Sequence, residues 1–249
     1  MLVALPAFAK VSETFTKTYP FAADGVISLA NVNGDVEIVG WDKNEVHLVA
    51  EKRARNDEEL KQIAVHISAH NEADSDRTES RLVIKTEYPK ALSWFRWFGS
   101  RNHQGSVRYK LMVPAGVSLR KIDVVNSDIT VSGVRGSVDL DTVNGSIDAS
   151  GLTANGRFDT VNGSIRVEFD SVKVGAKIEL DSVNGSCRIK LPKEASFHLD
   201  ADNVNGSVSC DFPITLEKSG RHHLRGRVGD GAATVKLDSV NGSLHITSR

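Results

Sequence analysis

The 249-residue sequence has no apolar run of about 18 residues, so no stretch of it reads as a transmembrane helix. Neither sign of charge is in excess, with 31 basic and 32 acidic side chains, which excludes the basic footprint of a nucleic-acid binder. Aromatic residues make up only 6%, so a core must be packed mainly with Val, Ile and Leu. The two cysteines, Cys187 and Cys210, are too few for a disulfide framework. His-Glu-x-x-His, Gly-x-Ser-x-Gly and glycine-rich phosphate loops are all absent, which removes common signatures of metallohydrolases, serine hydrolases and nucleotide enzymes.

What the chain has is a repeat. Asp141-Thr142-Val143-Asn144-Gly145-Ser146-Ile147 recurs from Asp159 to Ile165, from Asp181 to Cys187 and from Asp238 to Leu244. Looser copies run from Asp123 to Ile129 and from Asp202 to Val208, and a clipped copy from Asn31 to Val36. The phase-marking asparagines, Asn126, Asn144, Asn162, Asn184, Asn205 and Asn241, are spaced by 18, 18, 22, 21 and 36 residues. Periods of this size belong to short solenoid repeats. Val138, Leu140, Ile147 and Ala149 share one face while Asp139, Asp141 and Asp148 take the other, the period-two pattern of half-buried strands.

Two all-β architectures fit. In an antiparallel β meander or sandwich each Asn-Gly is a hairpin turn, but Asp141 then faces Asp148 and a whole column of valines is left on the polar side. In a parallel β-solenoid each Asn-Gly is a corner, and Val, Asn and Ser stack on successive rungs about 4.8 Å apart. There Val143 can turn inward, the six asparagines form a structural ladder, and Asn and Gly supply left-handed backbone. The solenoid accounts for more of the pattern.

The chain divides into three parts. Residues 1–9 are apolar and end in Ala7-Phe8-Ala9, the pattern of a signal-peptide remnant, so the protein is expected to be exported. Residues 10–118 read as an N-terminal β region. It contains a short helix over 56–63, capped by Asn56, and an aromatic loop over 88–105. In that loop Trp94, Phe95, Arg96, Trp97 and Phe98 are candidate contacts to a partner or a membrane surface, or a cap over open strand edges. Residues 119–249 carry the regular repeats, interrupted by a basic insertion over 213–233. Arg221, His222, His223 and Arg225 in that insertion are candidate anion contacts, unless it is simply a solvated loop. Because the last repeat runs almost to the C-terminus, the final rung is expected to have little cap of its own, and to pair with another chain or with the displaced loop.

The Val-Asn-Gly-[Ser/Asp]-[Ile/Val] units, the Asn56-Asp57-Glu58-Glu59-Leu60-Lys61-Gln62-Ile63 helix and the ending Gly229-Asp230-Gly231 through Ile246 resemble the bacterial putative-adhesin family of β-strand-repeat proteins, a domain of unknown function. The resemblance runs from about residue 24 to the end. It implies a right-handed parallel β-solenoid in an exported or envelope-associated protein, with no catalytic residues to carry over.

The aspartates at 123, 141, 159, 181, 202 and 238 would stack on successive rungs and repel one another. Bonding to turn N–H groups is the expected compensation, with a calcium ladder as the alternative, although the glycine-rich calcium-roll pattern is absent. No cofactor is otherwise expected. Cys187 and Cys210 would lie on neighbouring rungs, offset by two residues and about 8 Å apart, too far for an easy disulfide. The expected function is a non-enzymatic binding, adhesion or scaffolding module, periplasmic or on the cell surface, with an envelope protein or glycan as partner. A carbohydrate-active enzyme on a β-helix is the alternative, as is a partner subunit in envelope-stress signalling.

Overall fold

The computed structural model describes residues 11–74, 77–88 and 105–249. Residues 1–9 and the cluster Trp94, Phe95, Arg96, Trp97 and Phe98 lie outside them. In chain order the elements are β1 (Val11–Pro20), β2 (Val26–Ala30), β3 (Val36–Trp41), β4 (Glu45–Ala54), α1 (Asp57–Gln62), β5 (Ala64–Asp74), β6 (Arg77–Glu87) and β7 (Ser106–Pro114). There follow β8 (Ser118–Val124), β9 (Ile129–Ser132), β10 (Val138–Asn144), β11 (Ile147–Leu152), β12 (Gly156–Asn162), β13 (Ile165–Phe169) and β14 (Lys177–Asn184). The last are β15 (Cys187–Leu191), β16 (Phe197–Asn205), β17 (Val208–Cys210), β18 (Ile214–Ser219), β19 (His223–Val228), β20 (Ala233–Asn241) and β21 (Leu244–Ser248).

The strands form two large, mostly parallel sheets. Sheet A has the order β1-β4-β7-β3-β9-β11-β13-β15-β21-β17, and sheet B the order β18-β19-β16-β20-β14-β12-β10-β8-β2-β6-β5. From β8 to β17 the chain alternates between sheets, one strand in B and the next in A. Each such pair is a rung, and the Asn-Gly step is the corner between its strands. The repeats are in register: Leu140 pairs with Phe158 and Phe158 with Leu180 in sheet B, while Ile147 pairs with Ile165 and Ile165 with Cys187 in sheet A. All six are fully buried between the sheets. Alternation sends every second residue inward, so each rung adds one layer of aliphatic core.

Two rungs are out of sequence order. β20 lies between β14 and β16, and β21 between β15 and β17. The final repeat is therefore an interior rung, paired on both edges, and the expectation of an uncapped last rung does not hold. The first rung behaves likewise, with β2 between β6 and β8 and β3 between β7 and β9. The charges on the outer face of sheet B explain the order. One column reads Asp139, Arg157, Glu179, Lys236, Asp200, Arg225. Opposite charges alternate at every step only because Lys236 is inserted between Glu179 and Asp200. In sequence order those two acids would be neighbours, which is destabilising.

Both ends depart from parallel pairing. β4 is antiparallel to β7 and β1 to β4 in sheet A, and β5 is antiparallel to β6 in sheet B. α1 sits at this N-terminal end. The Asn56 side chain accepts the Glu59 N–H at 2.8 Å, and Leu60 and Ile63 are buried. At the other end the basic insertion is a hairpin rather than an unstructured loop, with β19 antiparallel to both β16 and β18.

The cysteines are unbonded. They are not on neighbouring rungs, because the inserted β21 separates their strands. Two strand spacings and a two-residue offset put them about 12 Å apart, well beyond disulfide reach. Burial, with Asp181 and Asp238 adding, pushes the Cys187 thiol up to about 12, so it behaves as an apolar core residue.

Candidate functional site

Each letter of the repeat has a separate task at the corner. The Asn amides form a continuous ladder. Asn126 Nδ2 donates to Asn33 Oδ1, Asn144 to Asn126, Asn162 to Asn144, Asn184 to Asn162, Asn241 to Asn184 and Asn205 to Asn241, all at 2.8–2.9 Å. The ladder thus follows the permuted rung order. Such amide stacks suit parallel in-register strands, where identical side chains meet at every step. Inside the corner a hydroxyl ladder runs alongside: Thr160 donates to the Gly145 carbonyl, Ser182 to Gly163 and Ser239 to Gly185, at 2.9–3.1 Å. Gly145, Gly163, Gly185 and Gly242 are not left-handed. Each is a glycine because a Cβ there would fall on the corner carbonyl of the adjacent rung. Close approach, rather than the expected backbone freedom, fixes the residue.

The strand continues through Asn144 before the corner, so alternation persists and Val143 points outward. The inward turn expected for it does not occur. In spatial order Val32, Val125, Val143, Val161, Val183, Val240 and Val204 make an apolar stripe on the outer face of sheet B, each 36–60% exposed. Beside it runs the carboxylate column Asp123, Asp141, Asp159, Asp181, Asp238, Asp202. Between the two stripes lies a shallow groove of about 640 Å³, lined by Asp159, Asp181, Asp238, Val161, Val183 and Val240 among others.

The column is not held by turn N–H groups, as was expected of it. Cations two positions earlier on the same strands compensate every second rung instead. Arg157 Nε lies 2.8 Å from Asp159 and its Nη1 3.1 Å from Glu179. Lys236 pairs with Asp238, and Lys121 lies 3.6 Å from Asp123. Asp141 and Asp181 have Asp139 and Glu179 in the matching positions, so their own rungs supply no cation. Burial first, then the carboxylates of Asp159, Asp123 and Asp139, raise Asp141. Burial, then Asp159 and Asp238 to which it is hydrogen-bonded, raise Asp181 to about 6. Among the described residues no group of three or more metal-ligating side chains could hold an ion.

A carboxyl raised in the folded state favours folding while protonated. Its contribution is complete below the ordinary carboxylate range and is lost as pH rises through about 6. For a fully buried carboxyl such a rise would correspond to about 2.7 kcal/mol, but this one is half solvated, so about 1 kcal/mol is expected. Asp181→Asn should therefore stabilise the protein at pH 7–8 by about that much. It should also flatten the decline in stability between pH 4 and 6, as read from urea midpoints across pH.

The candidate anion contacts are split by the hairpin. Arg225 is engaged by Asp200 on the outer face of sheet B. His223 lies opposite Asp202 in the strand register. Arg221 and His222 lie at the hairpin tip, where the His222 carbonyl accepts the Asn203 N–H at 2.7 Å. They line a hollow of about 620 Å³ with Asn205, Gly206, Ser207 and Ser243. The six ladder asparagines are brought together; the four basic residues are not. The valine stripe was missed as a functional feature, although period-two alternation alone puts those valines on the aspartate side.

Short strands coiled through two mostly parallel sheets, with one repeated face, define a β-strand-repeat domain. Residues 15–247 match the Toastrack DUF4097 family, and the chain belongs to it. No curated protein matches. Among solved structures, a putative cell adhesion protein from Clostridium sporogenes is similar at 11% identity, covering 96% of this chain and 100% of that one, with a TM-score of 0.59. A putative adhesin from Bacteroides fragilis aligns at 10% identity over 95% and 97% of the two chains, with a TM-score of 0.33. The first likeness is one of fold.

Proposed function

We propose that this protein is an exported, non-enzymatic binding module of the bacterial envelope, an adhesin-like right-handed β-solenoid whose binding surface is the outer face of sheet B. One observation carries this reading: seven valines stand in register and exposed on successive rungs, flanked by a carboxylate column. A contiguous apolar stripe with a polar rim is the usual signature of an interaction surface. Its period, about 4.8 Å per rung, suits an extended, repetitive partner. The carboxylates favour hydroxyl or amine donors and repel polyanions, so an envelope glycan or an extended protein segment of low negative charge fits best. The apolar segment at residues 1–9 supports export, and the name of the Clostridium relative is consistent with adhesion. The enzyme reading is weaker because one aspartate per rung offers no pair set apart in acid and base roles.

The test is co-sedimentation with bacterial envelope fractions. The wild-type chain is expected to pellet, and a Val161→Glu/Val183→Glu variant with an unchanged circular dichroism spectrum should remain in the supernatant. Equal pelleting of both, or of neither, would overturn the assignment.

A further inference from the structure

The two sheets do not end together at the C-terminal end. β16 and β17 form the last complete rung, beyond which sheet B continues with β19 and β18 while sheet A stops at β17. Sheet B therefore overhangs by two strands, and among the described residues no strand pairs with the far edge of β17. Cross-strand register places Ile214, Leu216, Leu224 and Val228 on the inner face of the overhang, opposite or beside Gly226. Leu216 is 54% exposed there, whereas the inward leucines of the rungs, such as Leu140, Leu180 and Leu237, are fully buried. An inner-face leucine left in water next to an unpaired strand edge is a surface awaiting a partner.

We propose that two copies of the chain join through this end as a two-fold dimer, each β18 pairing antiparallel with the other protomer's β17. Three features select a second copy over another occupant. First, the step is self-complementary. A two-fold axis parallel to the strands and midway between the sheets carries the two-strand overhang of each protomer into the two-strand gap of the other. Second, the polarity is right. β18 is antiparallel to β19, and β19 to β16, so β18 runs with β16. β17 follows β16 across a corner and runs back in the other sheet, opposite to β18. An axis parallel to the strands preserves direction, so the new pair is antiparallel. Third, the rotation keeps inner faces inner and brings the two Leu216 side chains to the same height on either side of the axis, where each covers the other's overhang. The interface is isologous and closed, so it ends the exposed edges instead of propagating them.

Light scattering coupled to size exclusion tests this on the full chain. The expected mass is that of a dimer, falling two-fold for Leu216→Arg with the circular dichroism spectrum and melting temperature retained. A monomer at all micromolar concentrations, or a dimer that persists in Leu216→Arg, would overturn the proposal. Should Leu216→Arg fail to fold, Leu216→Cys in a Cys210→Ser background decides. A short bis-maleimide should link it into a covalent dimer, and absence of that product would equally overturn the proposal. A monomer that still pellets with envelope leaves the binding face standing and removes only the dimer.

Discussion

Gly185→Ala is expected to cost at least about 4 kcal/mol, in the range reserved for backbone clashes and buried defects, and to lower the melting temperature by roughly 10 °C in a chain of this size. The added Cβ would fall on the Gly163 carbonyl oxygen. That oxygen cannot move aside, because it already accepts the Ser182 hydroxyl at 3.1 Å. The rung cannot tilt away either, because Asn184 is bonded to Asn162 on one side and to Asn241 on the other. Relief requires prising two rungs apart and breaking the parallel ladder. Gly175→Ala is the control. Gly175 is left-handed, with φ +77°, and nothing lies within 4 Å of a Cβ there. Its cost should be only the conformational penalty of about 1–2 kcal/mol. Equilibrium urea unfolding of both variants separates close approach from backbone freedom as the reason for glycine.

Deletion of residues 233–249 is expected to do more than remove one rung. Among the described strands, β20 and β21 alone pair both with the stack ending at β14 and β15 and with the unit of β16, β17 and the hairpin. Without them β16 has no parallel neighbour, and docking it on β14 would set Asp200 against Glu179 and Asp202 against Asp181. The new repulsion of Asp200 and Glu179, which Lys236 separates in the intact stack, disfavours that repair. Limited proteolysis should then cut freely between residues 192 and 232 while the earlier rungs stay protected. A repeat protein stacked in sequence order would lose only its terminal layer on such a truncation. Protection of 197–228 in the truncated chain would mean that the inserted rung is dispensable.

The two-sheet, mostly parallel character of the fold was legible because Asp-Thr-Val-Asn-Gly-Ser-Ile combines period-two burial with a fixed corner. The rung order is not legible in the local pattern, though its trace is present. The final step of 36 residues marks an excursion, and only the order Glu179, Lys236, Asp200 alternates charge. Local periodicity carries no such information, because pairing partners are chosen by long-range complementarity. The valine stripe was misjudged for a different reason: exposure of seven valines looks unfavourable unless the face has a use, so Val143 was expected to turn inward. The aspartate column was assigned to turn capping on residue preference, whereas its real compensation comes from Arg157, Lys236 and Lys121 two positions away on the same strands.

Carboxyl footprinting of the intact protein, with and without bacterial envelope fractions, tests the binding face most directly. Carbodiimide-driven labelling reports each acid separately. If the outer face of sheet B is the binding surface, envelope should protect Asp141, Asp181 and Asp202, while Asp148, Glu168 and Asp170 on the sheet A side keep their labelling. Protection confined to sheet A, or no change at any of the six, would contradict it.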